Sequence, residues 1–165
     1  EAFLEADLGS LAPSLVAPQF VFSAPTFGPL GREAFMAAAP FAALRAGLPD
    51  VDFGFCDLRV CPFDVNRVWY TACPHGTHTN ELQLGGRKFA PTGRQWEGPP
   101  ECGSLTFNSK GECVAVTSGY VMDRRQGNTK GLGGVLGLRE AIGHPSPTAW
   151  LSRTPTQLWS SVMGS

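Results

Sequence analysis

The spacing of hydrophobic positions along this chain changes from helical to alternating at Pro49. Over residues 1–22, Phe3, Leu4, Leu8, Leu11, Leu15 and Val16 recur at intervals of mostly three and four, which predicts helical turns interrupted at Pro13. Phe20-Val21-Phe22 then predicts a short strand. A second helix is predicted from Gly31, with Phe35, Met36, Ala39, Ala43 and Leu44 facing inward, a break at Pro40 and a stop at Gly47 and Pro49. Beyond Pro49, Val51, Phe53 and Phe55 share one parity and Leu58 and Val60 the other, so a bulge is expected near Cys56-Asp57. Asn66 to Thr79 alternates as a strand bent at Pro74. Gly85-Gly86 and Asn108 to Gly111 are each flanked by alternating segments and predict two hairpins. Two helices followed by antiparallel strands predict an α+β fold in which a curved sheet wraps the helices.

Composition narrows the classes. The 165 residues leave room for one domain, 1–143, followed by an arm, 144–165, that carries Pro145, Pro147, Pro155, Trp150 and Trp159. A net charge of -1 supplies no field for nucleic acid or anionic lipid, so neither is an expected partner. Charged residues are only 16 %, short of the roughly 25 % usual in soluble domains, which leaves apolar surface for a partner to cover. The charge-free stretch from Leu8 to Gly31 holds four prolines, which argues against a membrane span. The chain opens at Glu1 without an initiator Met, so a processed organellar protein, a plastid one in particular, is an expectation beside a cytoplasmic one. Five cysteines without a C-x-x-C pair predict neither a disulfide framework nor a zinc ribbon, but small buried side chains.

Few residues offer chemistry. His75 and His78 are three apart on a strand and face opposite sides, so no metal site is expected. The one that faces inward, taken to be His78, is either a proton carrier or a core imidazole bonded to a hydroxyl such as Thr77. Asp123 ends an apolar strand, where Tyr120, Trp69 and Trp96 would desolvate it and raise its pKa towards that of an acid-base group; the alternative is a carboxylate tied to Arg124, Arg125 or a backbone amide. The glycine-rich stretch 127–137 lacks the Lys-Ser/Thr of a phosphate loop and, counted from Gly131, has Leu136 where a dinucleotide fingerprint needs its third glycine; it reads as a lid or packing turn, and no cofactor is expected.

Several segments occur in a familiar order: Phe20-Val-Phe-Ser, Gly28-Pro-Leu-Gly-Arg-Glu-Ala-Phe35, Leu48-Pro-Asp-Val-Asp-Phe53, Gly76-Thr-His78, Pro91-Thr-Gly-Arg94 and the strand ending at Asp123. In these the chain resembles the SnoaL-like polyketide cyclases of the nuclear transport factor 2-like superfamily over residues 1–143. The resemblance implies a cone-shaped α+β barrel, commonly dimeric, with an apolar pocket between sheet and helices. It also implies cofactor-free aldol chemistry with Asp123 as acid-base group, His78 as second proton carrier, and Trp69, Tyr70, Trp96 and Tyr120 shaping the pocket. Asn80, where the family often has glycine, and the long segment after Asp123 depart from that pattern. Two readings follow. One is a non-catalytic accessory subunit of a larger assembly, a plastid membrane complex for example, holding a hydrophobic ligand and docking through Trp150 and Trp159. The other is a cofactor-independent cyclase or isomerase. The low charge, the tail and the departures favour the accessory reading.

Overall fold

The first helix, α1 (Ala2–Glu5), stops after one turn. Asp7 and Leu8 take left-handed backbone at φ 50° and 55°, and Gly9 follows at 83°. The Gly9 N–H donates to the Phe3 carbonyl at 3.0 Å, which closes the helix end. The helical turns expected as far as Val16 are therefore replaced by turns, a 3-10 turn at Pro13–Leu15 and a strand, β1 (Val16–Ala24). The apolar spacing there serves burial of Phe3, Leu4 and Leu8, while Leu11 is exposed. The structure, a computed structural model, describes residues 1–38 and 40–147. Trp150 and Trp159, and most of the predicted arm, lie outside the described residues.

A strand not foreseen, β2 (Phe27–Gly31), precedes α2 (Arg32–Ala38) and α3 (Pro40–Gly47), which are divided near Pro40 as expected. Next come β3 (Cys56–Cys61), β4 (Asp64–Ala72), β5 (His75–Thr77), β6 (Leu82–Leu84), β7 (Arg87–Phe89), β8 (Gln95–Glu97), β9 (Glu101–Phe107) and β10 (Cys113–Val121). The bulge falls at Asp57, where φ is 53° and the β3–β4 register slips. The segment 127–137, expected as a lid or packing turn, contains a helix from its midpoint, α4 (Gly134–Ala141), with Leu138 and then Ile142 buried.

Among the described residues the main sheet has six strands in the order β2-β1-β10-β9-β4-β3, with β5-β8 and β6-β7 as separate pairs. The pairing is antiparallel except between β1 and β10, which run parallel, in contrast to the purely antiparallel sheet expected. The sheet is curved and open, and its inner face meets the helices: a mixed α+β cone.

Register assigns the faces. Phe22, Val116, Leu105 and Val68 lie in one row across β1, β10, β9 and β4; Tyr70 opposite Gly103 and Ala72 opposite Glu101 extend the same face, because alternate residues of a strand share a side. The ring of Tyr70 lies across Gly103, where a β-carbon would stand 2.3 Å from the ring and 2.6 Å from the Thr117 carbonyl oxygen. Its hydroxyl donates to that oxygen at 3.2 Å. Gly103→Ala is therefore expected to cost about 1–3 kcal/mol by overpacking. Thermal unfolding of G103A and of G103A with Tyr70→Leu checks this: relief of the loss in the double variant is expected, and full additivity would contradict the contact.

From Phe22 the interior is filled by rings in contact: Phe20 and Phe22 on Phe35 at 5.1 Å, Phe35 on Phe41, Phe41 on Phe53 at 5.2 Å, Phe53 on Phe55, and Phe55 on Tyr70 at 5.4 Å. Edge and offset geometries of this kind add to the burial of each ring. The cysteines divide: Cys61 and Cys113 are buried, but Cys56 and Cys73 are exposed, which corrects the uniformly buried set expected. Burial pushes the Cys113 thiol up to about 12.

Candidate functional site

After Ala72, Cys73 and Pro74 bend the chain out of the main sheet, and β5 and β8 pair as a continuation of the β4–β9 ladder, with Gly76 opposite Trp96. The His78 N–H donates to the Arg94 carbonyl at 3.0 Å, so the motifs Gly76-Thr-His78 and Pro91-Thr-Gly-Arg94 meet. Opposite residues share a face, and so do residues two apart, so Trp96 and His78 occupy diagonal positions on one face of this ribbon. Both are buried, at 3 % and 0 % exposure.

Each carries a nitrogen without a partner, Trp96 Nε1 and His78 Nε2. His78 Nδ1 lies 3.1 Å from Thr92 Oγ1, which accepts from the Arg94 N–H at 3.4 Å. We assign the Thr92 hydroxyl as donor to Nδ1, which places the imidazole proton on Nε2. Burial lowers the His78 pKa, and His144 lowers it further; the Asn80 backbone approaches the ring and opposes this without reaching hydrogen-bond geometry at Nε2. The imidazole is neutral at pH 7. In this tautomer His78 Nε2–H and Trp96 Nε1–H are two buried neutral donors without a partner, at roughly 1–3 kcal/mol each. Thr77, the expected hydroxyl partner of His78, instead donates to Asp50 through its N–H and Oγ1, both at 2.7 Å, and holds that carboxyl below its usual range.

Glu101 is also buried, 5 % exposed and beside Ala72 on the inner face. Its Oε1 accepts from the Gly134 N–H, at the start of α4, at 2.6 Å. Burial raises its pKa, and this single hydrogen bond offsets only part of the shift. The Tyr70 hydroxyl nearby is also pushed far above its ordinary range, by burial first and by the Glu101 charge among the lesser causes. Glu101 is not among the residues that the sequence motifs single out; the signal that finds it is the strand parity it shares with Gly103 and Leu105, which points inward.

Asp123 has the second of its two expected surroundings, a carboxylate tied to Arg125 and to a backbone amide. Arg125 grips the carboxylate with Nε and Nη2, both at 2.9 Å, the Arg125 N–H donates to it at 3.0 Å, and Gln126 Nε2 adds a bond at 3.3 Å. The arginine holds it far below the usual carboxylate range, opposite to the raised value that the acid-base reading of this residue requires. Trp69 and Tyr120 are also corrected. Trp69 pairs with Ser104 and Tyr120 with Cys102, on the outer face, where Trp69 lies under Arg67 and Tyr120 is 47 % exposed. Tyr70 and Trp96 are inside, and His75 is exposed.

A cleft of about 420 Å³ opens between α1, α3 and the segment before β3. Leu4, Val51, Phe53, Phe55 and Leu58 line it, together with Arg45. Arg45 is bound to the buried Asp7 by Nε–Oδ2 at 2.8 Å and Nη2–Oδ1 at 2.6 Å, and lies over the Phe53 ring. Phe55 is shared between this cleft and the Tyr70 ring, which it meets edge-on at 5.4 Å. Among the described residues no three His, Cys, Asp or Glu side chains converge as metal ligands, and no helix is long and apolar enough to cross a membrane.

No protein-family model matches the sequence, and a search of curated proteins finds no significant match. Solved structures do match. A protein from Jannaschia sp. CCS1 named as a SnoaL-like polyketide cyclase superposes with a TM-score of 0.59 at 16 % identity, over 87 % of this chain and 88 % of that one. AclR of Streptomyces galilaeus, named as a hydroxylase, gives 0.56 at 16 % identity, over 88 % and 90 %. A protein from Xanthomonas campestris pv. campestris named as a polyketide cyclase gives 0.50 at 18 % identity, over 71 % and 83 %.

Proposed function

Because this chain has the SnoaL-like form of the nuclear transport factor 2-like fold, we infer that it is a cofactor-independent cyclase or isomerase acting on an apolar, carbonyl-bearing substrate that closes a ring. The observation that carries this reading is the pair of buried, unpartnered donors, His78 Nε2–H and Trp96 Nε1–H. Buried polar atoms are nearly always satisfied, and two left open on one face fit a carbonyl oxygen that gains negative charge as a proton leaves the neighbouring carbon. Glu101 supplies the proton carrier. Its raised pKa brings it closer to neutral pH, where a group is useful in both directions. The carboxylate takes the α-proton, the carbanion forms the new C–C bond to a second carbonyl carbon, and that oxygen takes the proton back from Glu101. Asp123, which the family resemblance points to, suits this less well, because a carboxylate so strongly held as an anion is a weak base.

The accessory-subunit reading draws on exposed apolar residues of the β3–β4 hairpin, Val60, Phe63 and Val65. That feature accommodates a partner in an enzyme as well, whereas buried unmet donors call for a bound polar ligand and not for docking alone. Incubation with an aromatic poly-β-ketone ester, followed by chromatography and mass spectrometry, tests the enzyme reading. A ring-closed isomer forming well above the buffer rate is expected. A rate equal to that of buffer across a panel of such esters would return the chain to the ligand-holding class.

A further inference from the structure

Cys56 and Cys73 are both exposed and lie on one face of the β3–β4 ladder, since Cys56 is paired with Thr71 and Cys73 is two residues beyond it. Diagonal neighbours on a regular ladder stand about 7–8 Å apart, too far for a disulfide, whose β-carbons need about 3.5–4.5 Å. Here the ladder is not regular. Asp57 is bulged, and Gly54, at φ 55°, sits so close that a β-carbon on it would stand 2.8 Å from the Cys73 carbonyl oxygen and 3.3 Å from its Cβ. The Cys73 N–H donates to the Phe53 carbonyl at 2.9 Å, which holds Phe53 and Gly54 against Cys73, two residues before Cys56. Cys56 and Cys73 thus lie diagonally across the bulge on one exposed face, and Cys73 is among the lesser causes that raise the Cys56 pKa.

We propose that Cys56 and Cys73 form a reversible disulfide that clamps the aromatic wall of the cleft. Cys56 directly follows Phe55, and Phe53, Phe55 and Leu58 form that wall, so a bridge to Cys73 ties it to the end of β4. The oxidant is a low-molecular-weight disulfide of the glutathione class. Cys73 attacks it as thiolate, breaking its S–S bond, forming a mixed disulfide and releasing one thiol. Cys56 then loses its proton and attacks the Cys73 sulfur, which releases the second thiol and leaves the Cys56–Cys73 bond. Two protein thiols are oxidised by two electrons and one small disulfide is reduced to two thiols. Cys56 acts second because it is a reluctant thiolate: desolvation of its sulfur by the adjoining ladder, and then the Asp57 carboxylate 3.9 Å away, raise its pKa. The proposal is independent of the ring-closing activity, since its readouts need no substrate.

The test treats the reduced full chain with oxidised glutathione, then blocks free thiols and maps peptides by mass spectrometry. The expected product has lost two hydrogens and joins the Cys56 and Cys73 peptides, while Cys56→Ser stops at a glutathione adduct on Cys73. Adducts on both residues with no internal bridge, or a bridge to another cysteine, would overturn the pair. Hydrogen exchange over residues 53–58 tests the clamp: at least tenfold slower exchange in the oxidised chain is expected, and unchanged exchange would overturn it.

Discussion

Glu101→Gln leaves the fold intact and lowers ring-closing turnover by ~10²–10⁴-fold, the range typical of a positioned acid-base group. The amide keeps the acceptor that meets the Gly134 N–H and occupies the same space, so structural loss is small, but it can neither take nor return a proton. His78→Ala is expected to act in the same direction by removing one of the two donors. Asp123→Asn, in contrast, disturbs a surface pair with Arg125 and is expected to change turnover less than tenfold. An equal loss in D123N and none in E101Q would move the proton carrier to Asp123. Glu101 also carries a pH signature. A carboxyl whose pKa is higher in the folded than in the unfolded chain contributes stability that is full below the unfolded value and lost as pH rises through the folded one. The wild-type chain should therefore lose stability relative to E101Q as pH climbs above the ordinary glutamate range, as measured by denaturant midpoints. A constant difference across that window would show that Glu101 is not desolvated.

Arg45→Ala carries the largest expected stability loss. Asp7 is 1 % exposed and its two carboxylate oxygens are met by Arg45 Nε and Nη2. Removing the arginine leaves a buried charge unpaired, for which about 3 kcal/mol is expected, the lower end of the range because Arg45 itself is half-exposed. In a chain of this length that lowers Tm by roughly 6–12 °C. Pairing R45A with Asp7→Asn removes the stranded charge and should recover much of the loss. A single-variant loss below about 1 kcal/mol would class the pair with ordinary surface salt bridges.

The parts of this molecule legible in its sequence are those fixed by nearby residues. Gly85-Gly86 and Asn108 to Gly111 give their hairpins because a tight turn and its flanking strands are local. Pro40 and Pro74 mark real breaks for the same reason. The parallel pairing of β1 with β10 joins residues about a hundred positions apart, and no local pattern carries it. The leucines from Leu8 to Leu15 have helical spacing, but left-handed backbone at Asp7 and Leu8 overrides it. For the site, strand parity was informative and residue type was not. Trp69 and Tyr70 are adjacent and both aromatic, yet only one of two adjacent strand residues can face inward, and it is Tyr70. Asp123 sits at the expected end of its strand, but the orientation of its carboxylate is decided by Arg125, two residues on.

The most direct measurement follows the Trp96 Nε1–H and His78 Nε2–H resonances by ¹⁵N NMR while the aromatic poly-β-ketone ester is titrated in. Both are predicted to shift with one saturation curve while the Trp69 indole stays still. Product formation with both resonances unmoved would contradict the site, and the absence of any shift at saturating ester would contradict the function.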